Sequence, residues 1–86
     1  MNSIENVNQI AKLMTGYKGN GKVWWNEDVD HVRVYFGNTY VTVRPAEYVI
    51  SDGNNIPAVY ISKGSCSAGI RNSVSKYFDD LGIRVR

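Results

Sequence analysis

The chain has 86 residues, 43% of them hydrophobic and 21% charged, which gives room for one globular domain with a modest core but not for a cofactor fold with a second domain. Ten Lys and Arg against eight Asp and Glu leave a net charge of +2, too mild for bulk packaging of nucleic acid, so any attraction to phosphate has to come from where the charges sit. The single cysteine excludes an internal disulfide, and no apolar run approaches the roughly 20 residues that span a bilayer. With no basic and apolar leader in Met1–Glu5, the expected setting is a cytoplasm, the cell's own or a host's, with no membrane partner.

Asn2-Ser3-Ile4-Glu5 reads as a helix start, with Asn2 as N-cap and Glu5 three residues on, a variant of the capping box. Ile4, Val7, Ile10, Ala11 and Met14 recur at helical spacing and predict one apolar face, and Gly16 stands where a left-handed residue would end the helix. The glycine-rich segment from Gly16 to Lys22 is a flexible connection. Val23-Trp24-Trp25 opens the first strand, in which alternation lets only one of the two tryptophans face a core. Asn26–Asp30 is an acidic turn.

The centre of the chain, His31 to Arg44, reads as a β-hairpin about the two-residue turn Gly37-Asn38. That turn sets Tyr35 opposite Tyr40, Arg33 opposite Thr42 and His31 opposite Arg44. Val32, Val34, Val41 and Val43 then share one face with Phe36, while His31, Arg33, Tyr35, Tyr40, Thr42 and Arg44 share the other. Pro45, which lacks a ladder donor, is expected to end the second strand. Glu47–Ser51 and Ile56–Ser62 flank Asp52-Gly53-Asn54-Asn55 as a second hairpin with a four-residue loop, Pro57 marking an edge or irregular start.

A second helix, capped by Ser65 or Ser67, runs to about Leu81 with Ile70, Val74, Tyr77, Phe78 and Leu81 as its apolar stripe. Gly82 ends it, and Ile83–Arg86 alternates as a short closing strand. The expected fold is α+β: an antiparallel four- to five-stranded meander with two helices packed on its valine face, in the order α-β-β-β-β-α-β.

If both helices cover the valines, the other face is open, basic and aromatic. Arginine pairs bidentately with phosphate or carboxylate, and tyrosine stacks on bases or anchors a protein partner. Trp24 has the parity to extend this face. The same residues also read as a cross-strand aromatic pair kept soluble by arginines. Lys63-Gly64-Ser65-Cys66-Ser67 turns into the second helix, where free N–H groups and Lys63 suit an anion, or simply a serine-capped start. Cys66, near that helix start, is either activated by it or a small buried hydrophobe. Glu27, Asp28, Asp30 and His31 offer carboxylates for a divalent metal or an exposed acidic turn. No catalytic constellation and no cofactor motif stands out beside them, and Arg84 and Arg86 are expected to lie beside Asp79 and Asp80.

The helix–strands–helix order, with Asp30-His31 between two strands and Lys63, Arg71 and Lys76 about the last helix, resembles in arrangement the double-stranded RNA-binding domain. That resemblance implies an RNA-directed basic helix, although the family's lysine-rich run is missing here. In size and lack of catalytic motif the chain also resembles small phage inhibitors of host defence, such as anti-CRISPR proteins, which implies a host protein as target. The function expected is therefore a non-enzymatic binding module. Trp24, His31, Arg33, Tyr35, Tyr40, Arg44 and Lys63 would engage nucleic acid or a nucleoprotein, or alternatively a host protein, and a homodimer is compatible with either.

Overall fold

The computed structural model describes residues 4–17, 19 and 21–86, and the side chains of all of these except Glu47, Val49 and Ser51. Its elements are α1 (Val7–Met14), β1 (Lys22–Trp25), β2 (Val32–Phe36), β3 (Thr39–Ser51), β4 (Asn54–Ser62), α2 (Ala68–Asp80) and β5 (Arg84–Val85). The five strands form one sheet in the order β1-β2-β3-β4-β5. The fold is the expected α+β meander with one refinement. The first three pairings are antiparallel, but β5 runs parallel to β4, because α2 carries the chain back across the sheet between them.

The central hairpin has the expected register, with Phe36 opposite Thr39, Tyr35 opposite Tyr40 and Val34 opposite Val41. Gly37 has φ 70° and Asn38 does not follow it into positive φ, the pattern of a type II′ turn whose twist matches the strands. Val32, Val34, Val41 and Val43 are fully buried, and they share one core with Val7, Ile10, Ala11 and Met14 of α1 and Val74 and Phe78 of α2. Both helices therefore lie on the valine face. At about 25 cal/mol per Å² of apolar surface, this shared burial is the main force holding the helices to the sheet.

Several boundaries differ from the sequence reading. The Asn2 cap lies outside the described residues, and α1 begins at Val7, where Asn6 and Gln9 form a complete capping box with both bonds at 3.1 Å. Gly16 does not stop α1 in a left-handed conformation; Thr15 caps it in helical geometry, its N–H and hydroxyl both directed to the Lys12 carbonyl. Pro45 does not end β3. It pairs with Val59 two residues beyond Val43, whose partner Val32 begins β2, so that among the described strands β3 has β4 alone beside it there, and the ladder resumes at Tyr48 after a bulge. The second loop is two residues, not four: Ser51 pairs with Asn54, and Asp52 (φ 52°) and Gly53 (φ 78°) make a type I′ turn. Trp25 has the parity of the valines yet stays 44% exposed, because β1 is an outer strand of the sheet.

Ser67, not Ser65, caps α2, its hydroxyl accepting from the Ile70 N–H. The helix closes in a Schellman motif, with Ile83 N–H donating to the Phe78 carbonyl at 2.9 Å and Gly82 N–H to the Asp79 carbonyl at 3.0 Å. Tyr77 ties the two helices together: its hydroxyl donates to the Leu13 carbonyl at 2.6 Å, one of the four that α1 cannot satisfy itself.

Candidate functional site

The face opposite the helices is built by strand parity. Lys22 stands opposite Tyr35 and Trp24 opposite Arg33; Tyr35 stands opposite Tyr40, Arg33 opposite Thr42, and Arg44 opposite Tyr60. Trp24, Arg44 and Tyr60 are exposed, while Arg33, Tyr35 and Tyr40 are half-buried against one another rather than beneath a helix.

Arg33 organises the first half of this face. Its guanidinium carbon lies 4.8 Å from the Trp24 ring centroid and 4.7 Å from that of Tyr40, so it contacts an aromatic ring from each neighbouring strand. Its Nη1 donates to the Tyr35 hydroxyl at 3.0 Å, and Tyr35 and Tyr40 meet at 5.0 Å between centroids. The Tyr35 hydroxyl, by accepting that bond, pushes the Arg33 pKa further up, so the guanidinium stays charged. Nε of Arg33 meets His31 Nε2 at 3.0 Å. Because arginine only donates, His31 Nε2 is the acceptor and the ring carries its proton on Nδ1, 3.0 Å from Asp30 Oδ1. That hydrogen bond from His31 holds the Asp30 carboxyl below the usual carboxylate range, and the charge of Arg44 lowers it slightly further. Of the five N–H groups on Arg33, two are engaged in these bonds.

A second cluster continues the face toward β5. The Tyr60 ring has two guanidinium neighbours, Arg44 at 5.7 Å and Arg86 at 5.4 Å from its centroid. The Arg86 N–H donates to the Val59 carbonyl, which anchors the chain end beside Tyr60. Neither Tyr60 nor Arg86 was among the binding residues expected from sequence, Arg86 being expected beside Asp79 and Asp80 instead. Tyr60 becomes visible only when the register is carried through Pro45, and Arg86 only when β5 is known to run parallel to β4. Among the described residues, Arg84 and Arg86 form no ion pair with Asp79 or Asp80; Asp80 is instead 3.5 Å from Lys76.

Of the residues picked out in advance, Trp24, His31, Arg33, Tyr35 and Tyr40 form one contact network, and Arg44 belongs to the second cluster. Lys63 stands apart in the turn between β4 and α2, where its ammonium reaches the Cys66 carbonyl at 3.5 Å. Cys66 is buried, with its Sγ donating to Thr39 Oγ1 at 3.2 Å, and it takes the place of a small core hydrophobe. Glu27, Asp28 and Asp30 are exposed and do not converge; among the described residues no group of three His, Cys, Asp or Glu side chains is placed to hold a metal. These acids line a cleft of about 520 Å³ together with Arg44, Tyr60 and the start of α1. Among the described residues no helix is long and apolar enough to cross a membrane.

The face thus combines flat π surfaces with fixed positive charge and has its acidic groups at one margin. Such an arrangement can stack planar groups and attract anions. Compared with protein-family models, with curated proteins and with solved structures, the chain gives no match.

Proposed function

We propose that the chain is a non-enzymatic module that binds single-stranded nucleic acid on its open sheet face. The observation that carries this reading is the alternation of rings and guanidinium groups across the strands: Trp24, Arg33 and Tyr40 in one cluster, Arg44, Tyr60 and Arg86 in the next. Bases have a π face whatever their sequence, and stacking on an exposed aromatic contributes about 1–3 kcal/mol per base. Phosphates between the bases need cations at intervals, which Lys22, Arg44 and the remaining N–H groups of Arg33 supply. A single strand suits this face better than a duplex, because unstacked bases are what aromatic side chains can reach. The acidic turn bounds the footprint, since a polyanion is repelled from Glu27 and Asp28.

Fluorescence anisotropy with a labelled oligonucleotide of about ten nucleotides, titrated at several salt concentrations, tests the reading. Binding is expected to weaken linearly in the logarithm of salt, with a slope of roughly −0.7 for each phosphate neutralised. Trp24→Ala and Tyr60→Ala are expected to reduce affinity with little change of slope, and Lys76→Ala, on α2, to leave both unchanged. No binding at low salt to DNA or RNA strands would overturn the proposal. The same tryptophan, tyrosine and arginine surface would then stand as a protein-docking face, such residues being the ones enriched at interface hot spots.

A further inference from the structure

The two outer strands of the sheet are treated differently by the sequence. β5 is two residues long and is bracketed by Arg84 and Arg86, the kind of short, charged edge that discourages another strand from adding to it. β1 has four residues, contains no proline, and among the described strands is paired with β2 alone. It also concentrates exposed apolar surface: Val23 is 37% exposed, Trp24 40% and Trp25 44%. Trp24 is turned to the open face, whereas Val23 and Trp25 stand opposite Val34 and Val32 on the helix side. Past Lys22, which lies on the open face at the start of the strand, both faces of this edge are apolar, a weakly protected pattern for an outer strand.

We infer that β1 pairs antiparallel with β1 of a second copy, joining two sheets into one of ten strands about a two-fold axis. Side-chain parity allows few registers. Centring the axis on Val23 would leave Trp25 opposite Gly21 of the other copy, with no apolar partner. Centring it on Trp24 sets the two Trp24 rings against each other on the open face. On the helix side the same register places Val23 opposite Trp25 twice, burying what each copy leaves exposed. It also sets Lys22 opposite Asn26 of the second copy, one residue from Glu27, so the charges at the two ends of the strand are complementary under the two-fold. An edge of about 13 Å with two tryptophans a side falls at the small end of stable interfaces, so the dimer is expected to be weak and its test spans micromolar concentrations.

This inference does not depend on nucleic-acid binding and is tested without it. Light scattering of the purified chain between about 1 and 500 μM is expected to show a mass rising from that of the 9.7 kDa chain toward twice that value. Val23→Lys and Trp25→Lys alter exposed residues, and each is expected to raise the dissociation constant at least about tenfold. Ile50→Lys, at a 70% exposed position on the β3–β4 hairpin, is expected to leave it unchanged. Circular dichroism confirms that each variant is folded before its mass is read. A monomer across the whole range overturns the inference and leaves β1 free for a different partner. A dimer that survives both lysine variants, or that Ile50→Lys dissociates, overturns it as well by placing the interface elsewhere.

Discussion

Gly16 and Tyr77 are coupled across the helix pair in a way that a double-mutant cycle reads directly. A Cβ on Gly16 would lie 2.8 Å from the Tyr77 hydroxyl oxygen, with the next neighbours, the Leu13 carbonyl and the ring carbon bearing the hydroxyl, at 4.0 Å. The end of a tyrosine is ordinarily free to move aside. Here it is pinned, since the hydroxyl donates to the Leu13 carbonyl at 2.6 Å and the ring packs edge-on against Tyr17 at 5.4 Å and Phe78 at 5.7 Å. Tyr77→Phe removes that hydrogen bond, costing about 1 kcal/mol. Gly16→Ala in the parent forces the hydroxyl off its acceptor and is expected to destabilise by a similar amount, about 0.5–1.5 kcal/mol. With phenylalanine at 77 the obstacle is gone and the new methyl sits at ordinary contact distance. The alanine then stabilises by about 0.4–1 kcal/mol through the narrower unfolded ensemble, because Gly16 is not in a left-handed conformation. The sign of Gly16→Ala is thus expected to reverse between the two backgrounds, a coupling of roughly 1–2 kcal/mol, or several degrees in Tm for a domain of this size. Urea unfolding followed by circular dichroism measures all four proteins. Additivity of the two changes within about 0.3 kcal/mol would refute the pinned-hydroxyl account.

Gly21→Ala is expected to destabilise by about 1–3 kcal/mol, since its Cβ would fall 2.5 Å from Cγ1 of the fully buried Val34 and 2.8 Å from Phe36; an unchanged urea midpoint would contradict this. Ser67→Ala is expected to cost about 1 kcal/mol by freeing the Ile70 N–H that the serine satisfies, again read as a urea midpoint. In the oligonucleotide titration, Arg44→Ala and Arg86→Ala are each expected to flatten the salt dependence by somewhat under one unit; a change in affinity at constant slope would assign these arginines to stacking support instead. The His31 hydrogen bond depresses the Asp30 pKa, so its contribution is present above the unfolded carboxylate value of about 4 and is lost as pH falls through the lower folded value. The gap in urea midpoint between the parent and Asp30→Asn is therefore expected to narrow as pH is lowered from neutral through the carboxylate range, and a gap that stays constant over that range would refute the assignment.

The sidedness of the hairpin was legible from His31 to Arg44 because period-two alternation about Gly37-Asn38 leaves one register, and a slip by one residue would put four valines in water. The helices were legible from their apolar spacing, but their ends were not. Asn2 and Asn6 each have a box partner three residues on, Glu5 and Gln9, so spacing alone does not choose between them, and the structure shows the box at Asn6. Pro45 misled for a physical reason: proline excludes a strand interior with partners on both sides, and the alignment that leaves β3 with β4 alone at that point is not a local property. The candidate site shared that blind spot. Trp24, Arg33, Tyr35 and Tyr40 lie within one hairpin and its neighbour and followed from parity, whereas Tyr60 and Arg86 join Arg44 only through pairings that cross the bulge and the parallel edge. Lys63 stands just before a helix, and nothing local shows that its ammonium turns back to the Cys66 carbonyl.

The anchoring of Arg33 by His31 and Tyr35, between Trp24 and Tyr40, has a consequence for whatever docks there. A long, charged side chain normally gives up rotamer freedom when it meets a ligand, at about 0.5–1.5 kcal/mol for each one immobilised. In this chain folding has already removed that freedom, and the rings beside it are held in the same lattice of contacts. If the open face binds as proposed, it does so as a preorganised template, and loosening His31 or Tyr35 is expected to weaken association by freeing Arg33.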